Sequence, residues 1–364
     1  MINMMTIVGA RPQFIKAAAV SRVTKQTYSG RIDERIVHTG QHFDPNMSQV
    51  FFDQMDVPEP LFNLEISGGG HGVMTGRMLE SLEKLLLVER PDVVLVYGDT
   101  NSTLAGALAA GKLHIPVMHV EAGLRSFNMC MPEEINRVLT DRLSSLLFCP
   151  TQTAVDNLCA EGIKEGVSNT GDVMFDAALF YGDMADVQTT IIRDLKLDQT
   201  GYVLVTCHRA ENTDHPDRMR GIMEAIAEIS HSVRVVFPLH PRTRKVIDQS
   251  GLDLYLKNVT ILDPVSFLDM VALERAADLI LTDSGGIQKE AFFYRVPCLT
   301  MRDETEWVET VELGANILVG ASKDSILEEC WNLRKKTSEM SIKAEPYGSG
   351  CAANNILAKI CNYF

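Results

Sequence analysis

The stretch VVLVYGDTNSTLAGALAAGKLHIPVMHVEAGLRSFNMCMPEEINR, residues 93–137, decides the fold. Two β-branched runs, Val93 to Tyr97 and Pro116 to Val120, flank a helical segment from about Ser102 to Leu113. That is one strand–helix–strand unit of a parallel sheet. In such sheets ligands collect beyond the carboxyl ends of the strands, and here those ends carry Gly98-Asp99-Thr100-Asn101 and His119-Val120-Glu121-Ala122-Gly123. Pro132 suits the first turn of a following helix and brings Glu133-Glu134 with it. Any one of Asp99, Glu121 and Glu133 reads as a helix cap or as a partner of Arg125 or Arg137. Three acids at strand ends, opposite cationic loops, point instead to acid–base chemistry.

The same design recurs outward from this unit. In MMTIVGARPQFIKAAAV, residues 4–20, a strand turns through Gly9 to Pro12 into a helix with Arg11 and Lys16 near its start, two cations beside free N–H groups that suit an anion. The spacing is not G-x-G-x-x-G, so it makes no case for a nicotinamide dinucleotide. Glu34 to Thr39 reads as a second strand. Ser67 to Gly72 is glycine-rich without phosphate-loop spacing and reads as a mobile connection or lid edge, before a helix from about Met74 to Glu89. His119, flanked by apolar strand residues, reads as structural as readily as functional. From Ser168 to Gly201 the strand–helix rhythm loosens, which marks a linker and domain boundary.

The rhythm restarts at YVLVTCHRAEN, ending in His208, Arg209 and Glu211, and repeats at VRVVFPLHPRT, ending in His240 and Arg242. In ADLILTDSGGIQKEAFF a buried strand leads into Ser284, Gly285 and Gly286 at the start of a helix holding Glu290. Small residues there let main-chain N–H groups approach a phosphate closely. A serine-nucleophile reading of Ser284 lacks triad partners. His208 and His240 lack zinc-ligand spacing, so no metal is implied. A helix from about Ser349 to Tyr363 closes the chain.

At 364 residues the chain suggests two α/β domains. A net charge of −14 opposes general nucleic-acid binding while permitting a local basic pocket for a phosphorylated small molecule. No apolar run approaches the roughly 18 to 20 residues that span a bilayer, and the N-terminal apolar stretch reads as a first strand, so no membrane association and a cytoplasmic location are expected. Eight cysteines without a C-x-x-C pair read as reduced, mostly buried thiols.

GARPQFIK, VYGDTNST, HVEAGLRS, MPEEINR, CHRAEN, PLHPRT, TDSGGIQKEA and MRDETEWVE, in this order, resemble the non-hydrolysing UDP-N-acetylglucosamine 2-epimerases over nearly the whole chain. The resemblance implies two Rossmann-like domains facing across a cleft, the GT-B arrangement: an N-terminal domain over 1–172 with the catalytic acids, a UDP-binding domain over 173–348, and a C-terminal helix over 349–364 that returns to the first domain. It also implies a homodimer and no cofactor. GARPQFIK, SFNMCMPEEINR and DETEWVE most resemble the branch acting on UDP-2,3-diacetamido-2,3-dideoxy-glucuronate for bacterial surface polysaccharide such as O-antigen. UDP-N-acetylglucosamine enzymes more often read GTRPEAIK, from which Gln13 and Phe14 depart. Phe43 to Met47, after Gln41-His42, also depart from the sequence of members with an allosteric second UDP-sugar.

By resemblance Asp99, Glu121 and Glu133 match the catalytic acids, with Arg11, Lys16 and His208 as cations for the leaving diphosphate. His240, Ser284, Gly285, Gly286, Glu290 and Arg137 match UDP-sugar-binding positions. The implied reaction eliminates UDP to a 2-acetamidoglucal and adds it back after protonation of the other face of C2. A hydrolysing epimerase, a GT-B glycosyltransferase and a non-catalytic UDP-sugar sensor are the alternatives.

Overall fold

Because the central strands VVLVY, YVLVT and LILT are almost unbroken runs of Val, Ile and Leu, they need cover on both faces, and a parallel sheet between helices supplies it. The computed structural model describes residues 1–41, 59–335 and 344–364. It divides into two compact units, Met1–Ala177 with Glu345–Phe364, and Ala178–Ala344. Each unit is α/β with one parallel sheet, the fold class expected.

In the first unit the strands are β1 (Ile2–Val8), β2 (Ile32–His38), β3 (Phe62–Asn63), β4 (Val93–Tyr97), β5 (Val117–Val120), β6 (Leu146–Cys149) and β7 (Val167–Asn169). Their order across the sheet is β3-β2-β1-β4-β5-β6-β7, every pair parallel. The crossovers include α1 (Arg11–Val23), α2 (His71–Glu89), α3 (Asn101–Lys112), α4 (Pro132–Leu143) and α5 (Gln152–Ala160). On one face Met5, Ile7, Val94 and Val96 pack with Leu82 and Leu86 of α2 and Ala105 and Ala109 of α3. The chain reverses direction across the sheet between β1 and β4. This topological switch point opens between the loops after those two strands, Gly9–Ala10 and Gly98–Thr100.

Residues 168–201 are more regular than the linker their sequence suggests. They hold the end of β7, a 16-residue helix α6 (Val173–Gln188) and a short helix α7 (Ile191–Asp194). Ala177, Ala178, Tyr181 and Ala185 form a buried stripe at helical spacing, with Asp183 between them and Asp176 and Asp186 on either side. The division between the units falls inside α6.

The second unit repeats the topology. Its strands are β8 (Tyr202–Thr206), β9 (Arg234–Pro238), β10 (Thr260–Leu262), β11 (Leu279–Thr282), β12 (Cys298–Thr300) and β13 (Asn316–Leu318), in the order β10-β9-β8-β11-β12-β13. Helices α8 (Ala210–Thr213), α9 (Pro216–Ser230), α10 (Pro241–Ser250), α11 (Phe267–Arg275), α12 (Gly285–Phe293), α13 (Val308–Glu312) and α14 (Lys323–Lys335) cover it. Cores lie on both faces, one around Val203, Val205 and Phe237, the other around Tyr202, Leu204 and Ile280. Here the switch point lies between β8 and β11. The last helix, α15 (Ala352–Tyr363), belongs to the first unit, where the Asp176 carboxylate accepts the Ala352 and Ala353 N–H groups at 3.0 and 2.8 Å.

Five cysteines are buried, but Cys130, Cys159 and Cys351 are exposed, and all eight are free. Among the described residues no helix is long and apolar enough to cross a membrane.

Candidate active site

The first unit gathers four of the site residues anticipated from sequence at its switch point. Asp99 follows β4 by one residue, and Glu121 follows β5 directly. Lys16, on α1, is buried and ion-paired with Glu121, close to Gly98. Arg137, on α4, donates to Asp99 Oδ2 at 2.5 Å and to Glu134 Oε2 at 2.8 Å. Each acid therefore has its own cation. Burial pushes the Asp99 carboxyl above its ordinary value; the Glu121 charge adds to this, while Arg137 and Lys16 oppose it.

Local backbone fixes the geometry. Thr100 caps α3 by accepting the Thr103 N–H, and the Thr103 hydroxyl bonds the Thr100 N–H in return. Asn136 donates to the Asp99 carbonyl at 2.8 Å. Glu121 sits at φ +71, a left-handed conformation that costs a non-glycine residue about 1 kcal/mol and is held here by the surrounding structure.

Glu133 and Glu134 differ sharply although they are neighbours. Glu134 is buried and accepts the N–H groups of Ser126 and Phe127 at 3.0 and 2.9 Å. Burial alone would raise its carboxyl, but those two donors and Arg137 outweigh it and hold the group below its usual value. Glu133 is half-buried in the first turn of α4, and its side chain makes no hydrogen bond or ion pair among the described residues. Arg125 does not pair with the site acids; it binds Asp141 and Glu161. Arg11 opens α1, but its side chain lies outside the described residues, as do His42 and the segment Phe43 to Met47.

In the second unit the loop after β8 carries His208, and its partner at the switch point is the loop after β11. Fully buried Asp283 accepts the His208 N–H at 3.0 Å, the Arg209 N–H at 3.0 Å and the Asn212 amide at 3.1 Å, which sets the course of that loop. The His208 ring, 40% exposed, lies 5.6 Å from the His240 ring. Burial lowers the His208 pKa; the nearby Asp283 charge opposes this, whereas His240, Arg209 and Arg242 add to it. His240 caps α10 by accepting the Arg242 N–H.

Ser284 precedes α12, so Gly285 and Gly286 supply its first-turn N–H groups, which have no carbonyl partner within the helix. A side chain at Gly285 would meet Glu306 Oε1 at 2.5 Å, while Gly286 stands beside Glu290 with ordinary clearance. The arrangement is a donor-lined cradle for an anion with a carboxylate one turn away. Among the described residues no group of three or more His, Cys, Asp or Glu could hold a metal ion.

Sequence reasoning leaves His119 open between a structural and a functional role, names Glu134 without a role, reads Gln13 only as a mark of the substrate branch, and gives Asp141 and Asp283 no role. Gln13 is buried, accepts the Gly9 and Ala10 N–H groups, and donates to the Tyr97 carbonyl and the Thr103 hydroxyl. It ties the β1 and β4 loops together. Phe14 is likewise buried, edge-on to His38.

Two α/β units, one with paired acids and cations at its switch point and the other with a donor-lined helix start, fit an isomerase of nucleotide sugars. The sequence pattern of the UDP-N-acetylglucosamine 2-epimerase family matches residues 25–361. The chain is 54% identical to the UDP-2,3-diacetamido-2,3-dideoxy-D-glucuronate 2-epimerase of Pseudomonas aeruginosa, over 99% of this chain and 100% of that protein. Among solved structures it resembles the Methanocaldococcus jannaschii UDP-GlcNAc 2-epimerase in complex with UDP-GlcNAc and UDP (TM-score 0.85, 44% identity, 100% of both chains). It also resembles the Neisseria meningitidis enzyme bound to UDP-GlcNAc (TM-score 0.88, 32% identity, 99% of this chain and 100% of that one). The chain therefore belongs to the UDP-N-acetylglucosamine 2-epimerase family and is a UDP-sugar 2-epimerase.

Proposed function

We propose that the protein inverts C2 of UDP-2,3-diacetamido-2,3-dideoxy-glucuronate without hydrolysing it, by eliminating UDP and adding it back. The observation that carries the chemistry is the pair Asp99 and Glu121, each tied to its own cation at one switch point. H2 of a 2-acetamido sugar is not next to a carbonyl and is weakly acidic, so its removal is coupled to loss of the C1–O bond. A carboxylate takes H2, the C2–H electrons form the C1–C2 double bond, and the C1–O electrons leave on the UDP phosphate oxygen. A second acid delivers a proton to the opposite face of C2 as UDP returns. Asp99 and Glu121 serve this exchange with Glu133, and a base with a raised carboxyl pKa, as Asp99 has, works nearer neutral pH.

Arg11, Lys16 and His208 stabilise the leaving diphosphate. Ser284, Gly285 and Gly286 bind the phosphates through the α12 N-terminus, Glu290 accepts the ribose hydroxyls, and His240 and Arg137 complete the UDP-sugar contacts. The 54% identity over the whole length to the Pseudomonas aeruginosa enzyme supports the diacetamido uronate as substrate. Gln13 ties the β1 and β4 loops together and Phe14 packs edge-on to His38, which gives both a structural role beside the branch reading. A role in surface polysaccharide synthesis, a homodimeric state and a cytoplasmic location belong to the same reading.

Proton NMR of the purified protein with each UDP-sugar tests it. The expected product has a manno-type anomeric proton still coupled to phosphorus, formed fastest from the diacetamido uronate. Faster conversion of UDP-N-acetylglucosamine would reassign the substrate, free reducing sugar would favour hydrolysis, and no conversion of either would return the glycosyltransferase reading.

A further inference from the structure

His119 and Asp141 lie beneath the acidic loops of the first unit and have no part in the acid–base set described above. His119, on β5, is fully buried. Its Nδ1 stands 2.7 Å from Asp141 Oδ1, and its Nε2 stands 2.8 Å from the main-chain carbonyl oxygen of Gly98. A carboxylate and a carbonyl are both acceptors, and a ring carrying a proton on each nitrogen satisfies both. The second Asp141 oxygen accepts the Gly123 N–H at 3.2 Å and faces Arg125 Nη1 at 2.8 Å.

The pair thus spans three segments of the site. Gly98 immediately precedes Asp99, Gly123 lies two residues beyond Glu121, and Asp141 stands on α4, which carries Glu133, Glu134 and Arg137. The two loops have left-handed backbone at the points the pair touches, Gly98 and Gly123 with φ of +59 and +79, and at Glu121 with φ of +71. At Gly123 an added side chain would overlap the Ala154 carbonyl, so that loop has little room to move. A buried polar pair is a weak source of stability, because an apolar pair of similar volume fills the same space without desolvating charge. What it supplies is direction. A methyl-lined cavity could not fix where the Gly98 carbonyl points or how far the Gly123 N–H stands from β4.

We propose that His119 and Asp141 are positioning residues for the C2 reaction: His119 sets Asp99 through the Gly98 carbonyl, and Asp141 sets Glu121 through Gly123. This rests on the acid–base roles proposed for Asp99 and Glu121. The consequence lies in how the intermediate partitions. With the two carboxylates in register, the glycal formed by loss of H2 is reprotonated at C2 before UDP departs. With one displaced, H2 is still removed as a proton, but reprotonation lags and the 2-acetamidoglucal and UDP leave as separate molecules.

The test compares the wild-type chain with His119→Phe, which fills the space and removes both N–H groups, and with Asp141→Asn. Turnover of the UDP-sugar is measured per UDP-titrated site, with KM, deuterium gain at C2 in D₂O, and release of free UDP with glycal. Each folded variant is expected to lose between about 10- and 100-fold in turnover per site, the scale of a small misplacement of reacting groups. KM is expected to stay near the wild-type value, and free UDP and glycal are expected to rise relative to epimerised product. Should His119→Phe fail to fold, His119→Asn replaces it, since its short amide cannot span the Asp141 and Gly98 oxygens. Wild-type turnover per site, or a loss confined to thermal stability and to the number of titrated sites, overturns the positioning role. Absence of C2 exchange in the wild-type protein overturns the elimination chemistry and the positioning role together; wild-type exchange with variants that partition normally overturns the positioning role alone.

Discussion

The two units share a topology and use it for opposite charges. In the first, the switch point between β1 and β4 collects Asp99 and Glu121, each beside a cation. In the second, the switch point between β8 and β11 collects His208, Arg209 and the open start of α12. Both are organised by one buried aspartate, Asp141 in the first and Asp283 in the second. Asp141 reaches one loop through the His119 ring and the other by accepting the Gly123 N–H, whereas Asp283 takes two neighbouring main-chain N–H groups of a single loop. The lesson is that a parallel sheet fixes where a ligand binds, and the residues at the strand ends decide whether that place does chemistry or holds phosphate.

The proposed division can be broken most directly on the acidic side. Asp99→Asn and Glu121→Gln should each lower turnover by at least about 10²-fold while UDP still binds. Wild-type turnover in either, measured with the preferred UDP-sugar, would remove that residue from the chemistry. Glu133→Gln belongs to the same series, and Glu134→Gln sharpens it, because Glu134 is the neighbour committed to Ser126, Phe127 and Arg137.

Glu290→Ala tests the other side. Loss of two hydroxyl contacts to a carboxylate should weaken UDP binding about 10- to 100-fold, read by calorimetry, with turnover at saturation largely kept. A defect in saturating turnover instead would mean that Glu290 itself takes part in the chemistry.

Gln13→Glu is a smaller change that asks whether the β1 loop is a scaffold. It removes the donor to the buried Tyr97 carbonyl and should cost about 1 to 3 kcal/mol in chemical unfolding, with substrate preference unchanged. A switch in preference would make Gln13 a specificity residue.

The smallest effect concerns pH. Asp99 acting as an ionised base loses activity as pH falls through its raised pKa. Arg137→Gln removes a charge that lowers that pKa, so the acidic limb of kcat/KM should move to higher pH. Movement to lower pH, or none, would show that another group sets that limb.

Much of this was legible in the sequence because period and punctuation carry it. The runs at Val93–Tyr97 and Leu279–Thr282, each followed by an acidic residue and small helix starters, gave the strands and the positions of Asp99 and Ser284 without tertiary information. Residues 168–201 show an amphipathic stretch in sequence yet read as a linker, because the buried stripe of their helix is alanine and tyrosine set among aspartates. Glu133 and Glu134 are indistinguishable in sequence; which one the Ser126–Phe127 turn faces depends on the path of a loop. His119 and Asp141 lie 22 residues apart on different elements, so their pairing appears only once α4 packs by β5. Gln13 reads in sequence only as a mark of the substrate branch, because its residue type carries no sign of its burial.

The most direct measurement of the central claim is the fate of the C2 hydrogen in D₂O. The proposed reading predicts that the UDP-linked gluco and manno sugars both gain deuterium at C2, and that Asp99→Asn and Glu121→Gln slow this gain along with epimerisation. Epimerised product that keeps its original C2 hydrogen would contradict it.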